Sequence, residues 1–77
     1  MGTADFDELA GRIEGMSRAV LHIAAALEIA GLIDGPRLSQ GWRSALPGPG
    51  LEVANRTLQE LARALDGARS QRQAQAL

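Results

Sequence analysis

Apolar side chains in the first third of the chain recur at alternating intervals of three and four residues. Between Phe6 and Ala30 the intervals are 3, 4, 3, 4, 3, 4 and 3, which is the a/d heptad of a coiled-coil or bundle helix. Glutamates placed four residues before arginines add favourable pairs to the same segment. The pattern predicts a helix over about residues 5–30. Its seam positions are Phe6, Leu9, Ile13, Met16, Val20, Ile23, Leu27 and Ala30.

The next segment carries the signals of one helix end and one helix start. Gly31 suits the left-handed residue that closes many helices. Asp34 is a good N-cap, and Pro36 follows it at a position where a missing N–H is tolerated. A short apolar stripe then predicts a second helix over residues 35–46. The prolines of the run LPGPG (residues 46–50) end that helix and predict a corner.

The heptad returns after this corner. Polar residues occupy the seam positions beyond Ala68, so the predicted third helix covers residues 51–70. Residues 71–77 are expected to form a frayed tail, and residues 1–4 a flexible N-terminus. The seam of this helix consists of Leu51, Ala54, Leu58, Leu61, Leu65 and Ala68.

These elements predict an all-α protein with a single helical domain over residues 5–70. The two long, heptad-patterned helices are expected to form an antiparallel helical hairpin, with the short helix at one end. The alternation of apolar and polar residues that is typical of β-strands is absent from the sequence.

The first helix has more apolar surface than two neighbours from one chain would cover. Leu21 and Ile29 lie off the seam, so apolar side chains reach nearly all round the helix between Val20 and Ile29. A chain of 77 residues without cysteine builds a small core, and domains of this size often need to oligomerise.

A homo-oligomer is therefore expected, with a dimer favoured that forms a four-helix-type bundle. The alternatives are a monomeric three-helix bundle and an obligate complex with an unidentified protein partner. The predicted oligomer interface consists of Phe6, Leu9, Ile13, Met16, Val20, Leu21, Ile23, Leu27, Ile29, Leu58, Leu61 and Leu65.

Charge and hydropathy argue against two classes of partner. The net charge is −1 and no basic cluster is present, so nucleic acid is not the expected partner. A small DNA-binding regulator that uses the helix around residues 35–46 remains the alternative function. The apolar run 19–33 is shorter than the roughly 20 residues of a membrane span. No signal peptide is recognised, and we expect a cytoplasmic protein without membrane association.

Candidate catalytic residues do not assemble into a site. His22 is the single histidine, and its helical neighbour Arg18 has the wrong charge to orient it as a base. No metal-ligand pattern or phosphate-binding loop is present. We therefore expect no enzyme activity and no cofactor. The predicted function is a non-enzymatic protein–protein interaction module, such as an adaptor, a small chaperone or an inhibitor.

The candidate anchors for a protein partner are Trp42, Arg37 and Arg43. Trp42 is predicted to act either as an anchor for a partner or as a plug that closes the end of the bundle. Glu28 lies among apolar residues and is expected to pair with an arginine of another chain, Arg37 or Arg43.

Overall fold

The computed structural model describes residues 2–76, which form three α-helices. Helix α1 spans Thr3–Ile29, α2 spans Gly35–Arg43 and α3 spans Glu52–Gln75. No strand is present within residues 2–76. The all-α class predicted from the heptads is therefore confirmed.

Helix α1 ends in backbone hydrogen bonds that reverse the chain. The N–H of Leu32 donates to the carbonyl of Leu27 at 2.9 Å, and the N–H of Gly31 donates to that of Glu28 at 3.0 Å. These are the two bonds of a Schellman motif. The motif needs a left-handed residue, and Gly31 has a φ of 74°. The predicted role of Gly31 is confirmed.

Asp34 caps the start of helix α2. The carboxylate of Asp34 accepts a hydrogen bond from the backbone N–H of Arg37 at 3.1 Å, and Pro36 lies in the first turn. This satisfies one of the N–H groups that a helix start leaves without a partner. Asp34 is thus the N-cap that the sequence predicts.

Helix α2 ends at Arg43, three residues before the predicted end at residue 46. The side-chain amide of Asn55, on α3, accepts from the N–H of Leu46 at 2.7 Å and donates to its carbonyl at 3.3 Å. Leu46 also precedes Pro47, a position that disfavours helical backbone. The chain leaves the helix early because α3 holds it in a different conformation.

The long helices α1 and α3 run in the same direction. Glu28, near the end of α1, is bonded to Arg69 and Arg72, near the end of α3. Nearer the start of both helices, Ser17 and Leu21 of α1 lie across a groove from Leu61 of α3. The antiparallel hairpin expected from the heptads is therefore not formed. Helix α2 lies between them in the chain. The chain reverses once before α2 and once after it, so α3 points in the same direction as α1.

Helix α3 is longer than predicted. It continues through Gln75. Residues 71–75 of the tail that was expected to fray are therefore helical. Arg72 contributes a contact to α1 in this extra turn, which helps to order it. At the other end of the chain α1 begins at Thr3, within the N-terminus expected to be flexible. Met1 and Leu77 lie outside the described residues.

The core is small and lies where α2 and α3 meet the second half of α1. Helix α3 packs more extensively against α2 than against α1. The apolar residues buried in the core are Ala24, Ala62 and Leu65, with Gly35 and Ser39 buried beside them.

Gly35 provides a test of this packing. A Cβ atom at Gly35 would overlap the carboxylate of Glu28, which would have to shift from the position where Arg69 and Arg72 bind it. We expect Gly35→Ala to lower the free energy of unfolding by about 1–3 kcal/mol, measured by urea denaturation.

Gly41 is the matched control in the same helix. A Cβ atom there meets no atom within 4 Å, so Gly41→Ala is expected to raise stability by about 0.5–1 kcal/mol. Equal effects of the two substitutions would contradict the described packing of Glu28 on Gly35.

Candidate functional site

One face of α1 is apolar and largely exposed, and Ile13 at its edge also lines a groove beside α3. Six consecutive seam positions each leave between 46% and 62% of the residue exposed. They extend about 26 Å along the helix axis, at 1.5 Å per residue. Large exposed apolar patches mark interaction sites more often than chance. This surface, the exposed seam, consists of Phe6, Leu9, Ile13, Met16, Val20 and Ile23.

Helix α1 packs against its own chain through a different face. Ser17, Leu21, Ala24 and Glu28 are buried or half-buried there, at intervals of 4, 3 and 4 residues. At 100° per residue this face is centred about 80° around the helix from the exposed seam. Residues 2–16 are all exposed. The chain therefore covers the second half of α1, mainly on this face, and it also half-buries Leu27.

The residues predicted for the oligomer interface divide into two groups in the structure. Those on the exposed seam are available to a partner, and Ile29 is also exposed although it lies off the seam. Leu21 and Leu27 are half-buried by their own chain, as are Leu58 and Leu61. Leu65 is fully buried. The leucines of α3 therefore contribute to the core of the single chain.

A nearly buried carboxylate joins the end of α1 to α3. The side chain of Glu28 is 11% exposed and that of Arg69 is 18% exposed. Both Arg69 and Arg72 donate hydrogen bonds to this carboxylate. In the single chain these two arginines of α3 bind the carboxylate that the sequence assigned to Arg37 or Arg43 of another chain. Its partners lie in its own chain because α3 runs alongside α1 and continues past residue 70.

Asp66 extends this ion cluster to α2. Arg43 lies 2.6 Å from its carboxylate and Arg69 lies 2.8 Å from it. Hydrogen bonds from Arg69 and then Arg43 lower the pKa of Asp66 from 3.8 to about 2. The hydrogen bond to Glu28 in turn raises the pKa of Arg69. The cluster therefore keeps its charges and links all three helices.

Ser39 is a buried hydroxyl beside this cluster. Its proximity contributes to the lowered pKa of Asp66. The Ser39 oxygen nevertheless has no partner with full hydrogen-bond geometry among the described residues. We assign it a minor electrostatic role next to the two arginines.

The three residues proposed as partner anchors occupy different environments. Trp42 is half-buried on α2, and Arg37 is exposed near the start of the same helix. Arg43 is bound to Asp66. Of the two arginines, Arg37 is the one outside the ion cluster.

A groove of about 400 Å³ lies between the middle of α1 and the first half of α3. Its apolar lining includes Ile13, Leu21 and Leu61. His22 also lines it, beside the Glu14–Arg18 ion pair at 2.8 Å. Within residues 2–76 no group of three acidic, histidine or cysteine side chains is arranged to hold a metal ion.

Comparison with protein-family models, with curated proteins and with solved structures finds no match for this chain. Over residues 2–76, none of the helices combines the length and the apolar character needed to cross a membrane.

Sequence reasoning missed the residues that connect the helices. Asn55, Asp66 and Arg69 occupy polar positions on α3 and follow no motif. One signal was present: Arg72 takes a seam position where an apolar residue was expected. That position meets Glu28 in the structure, so the break in the heptad marks a polar contact with α1.

The lowered pKa of Asp66 predicts a contribution to stability that depends on pH. Because the folded-state value is below the ordinary value, this contribution is complete above pH 4 and is lost as the pH falls towards 2. Asp66→Asn should be less stable than the wild-type protein at pH 7, and this difference should shrink between pH 4 and pH 2. Thermal unfolding followed by circular dichroism across this range measures it.

Asp7→Asn is the control, because Asp7 is exposed and makes no ion pair among the described residues. The difference in stability between Asp7→Asn and the wild-type protein should stay small across the same pH range. A difference for Asp66→Asn that does not change with pH would contradict the role of this carboxylate.

Proposed function

We propose that this chain is a non-enzymatic protein–protein interaction module that acts as a helical homodimer. The surface of association is the exposed seam of α1. The observation that carries the proposal is the unbroken 3–4 spacing of six exposed apolar residues on one helix face. Such a spacing is suited to knobs-into-holes packing against a second helix with the same repeat.

The size of the exposed seam supports a specific interface. Six side chains exposed to this degree present on the order of 600 Å² per copy, or about 1,200 Å² for a pair, above the roughly 1,000 Å² of a specific interface. Ala19 and Ala26 flank the seam and are exposed. Their small side chains permit two helices to approach closely.

A second copy is favoured as the occupant because its surface has the same pattern. No charged residue interrupts the exposed seam between Phe6 and Ile23, so the surface carries no charge for a polar partner to match. The core of one chain contains few buried apolar residues, and pairing adds apolar burial that the chain alone lacks.

A dimer formed in this way leaves other surfaces for a different protein. The half-buried Trp42 on α2 is outside the exposed seam, and tryptophan is enriched among residues that dominate binding energy. An adaptor, a small chaperone or an inhibitor would use such a surface while α1 holds the dimer together.

DNA binding through α2 has less support from the geometry. Gly35 and Ser39 are buried, so one side of α2 is packed against the rest of the chain. Arg43 is bound to Asp66, which leaves Arg37 as the basic side chain of α2 outside the ion cluster. A single arginine does not make the basic surface that DNA binding requires.

A charge placed on the exposed seam tests the proposal. Val20→Asp puts an unpaired carboxylate into the proposed interface, which should raise the dissociation constant of the dimer roughly a hundredfold or more. Sedimentation equilibrium over a range of protein concentrations measures this constant.

Val53→Asp is the matched control, since it makes the same substitution at an exposed valine on α3. It should dimerise as the wild-type protein does. A wild-type mass equal to that of one chain at micromolar concentration, or equal effects of the two substitutions, would refute the proposal.

A further inference from the structure

We infer that the two copies pair antiparallel through α1, about a two-fold axis that passes between Ile13 and Met16. The inference rests on the proposed function and adds the orientation and register of the partner. In this register Ile13 of one copy faces Met16 of the other. Further out, Leu9 faces Val20 and Phe6 faces Ile23.

The extent of the exposed seam fits this register. Three of its residues precede the axis and three follow it, so every exposed seam residue gains a counterpart. The next seam residue, Leu27, is half-buried by its own chain. On the other side of Phe6 the helix ends within a turn, at Thr3. The pairing therefore begins and ends where the exposed seam does.

The charges of α1 favour the antiparallel orientation. Asp5, Asp7 and Glu8 lie in its first turns, and no arginine precedes Arg12. A parallel pair would place two such acidic clusters side by side. An antiparallel pair separates them by roughly 24 Å, about three Debye lengths at physiological ionic strength. It also aligns the positive end of each helix dipole with the negative end of the other.

Symmetry gives a further reason. The face of α1 that packs on α3 is about 80° around the helix from the exposed seam. A two-fold axis perpendicular to an antiparallel pair places both α3 helices on the same side of that pair. An axis along a parallel pair places them on opposite sides. The antiparallel dimer thus gathers the four long helices into one bundle.

The same arrangement covers the part of α1 that its own chain leaves bare. Residues 2–16 are all exposed, whereas α1 packs on its own chain from Ser17 onwards. Antiparallel pairing lays the bare half of each α1 along the packed half of the other. Each copy therefore supplies the surface that the other lacks.

Disulfide trapping tests the orientation, and the natural absence of cysteine makes single substitutions unambiguous. Phe6→Cys and Ile23→Cys are prepared separately, mixed under reducing conditions and then oxidised. Disulfides need Cα atoms within about 7 Å, so the 6–23 cross-link should exceed the 6–6 and 23–23 cross-links by about tenfold. Val53→Cys is the control for random collision and should cross-link with neither variant.

The outcomes separate the inference from the proposed function. Dominant 6–6 and 23–23 cross-links would overturn the antiparallel orientation and leave the dimer intact. A dimer that forms none of these cross-links would overturn the register. A monomer in sedimentation equilibrium would overturn both the proposed function and the inference.

A second measurement leaves the exposed seam unchanged. Ala4→Cys, labelled with a nitroxide, places a spin label near the start of α1 and off the seam. An antiparallel dimer predicts a label separation of about 30 Å or more, and a parallel dimer predicts about 20 Å or less. Pulsed dipolar spectroscopy distinguishes the two values, and the shorter one would overturn the inference.

Discussion

The structure depends on one nearly buried carboxylate, that of Glu28, which joins the end of α1 to the end of α3. A carboxylate removed from water is strongly unfavourable unless cations bind it. Arg69 satisfies it from α3, and Asp66 holds Arg69 in place. Gly35 leaves room for it at the start of α2. Because an ion cluster of this kind adds geometric requirements that apolar packing does not, we regard it as selecting one arrangement of the helices.

That arrangement decides which face of α1 is turned inward. With Glu28 directed at α3, the face that also carries Ser17, Leu21 and Ala24 is the one buried against the chain. The exposed seam lies about a quarter of a turn away and is left exposed. Helix α1 therefore has two faces with different roles. One of them builds the monomer, and we propose that the other builds the dimer.

A chain with so few fully buried apolar residues gains little stability from its own core. Ala24, Ala62 and Leu65 are buried, and two of these three are alanines, whose side chains contribute little apolar area. Burial of the exposed seam would remove a comparable or larger apolar area from water. Folding and association of this protein are therefore expected to be coupled, as they are in small domains that lack disulfides and metals.

The sequence by itself determined the local features of the protein. The start of α2 at Asp34, the chain reversal at Gly31 and the apolar seam of α1 were all legible, because each depends on residues within a few positions of one another. Only the tertiary structure decided that α1 and α3 run in the same direction, that Glu28 binds Arg69, and that the seam of α3 faces inward while that of α1 faces outward. Two faces of α1 compete for burial, and the choice between them depends on charged and small side chains some 40 residues apart in the chain. No local pattern carries that information, because these residues meet only once the helices have packed.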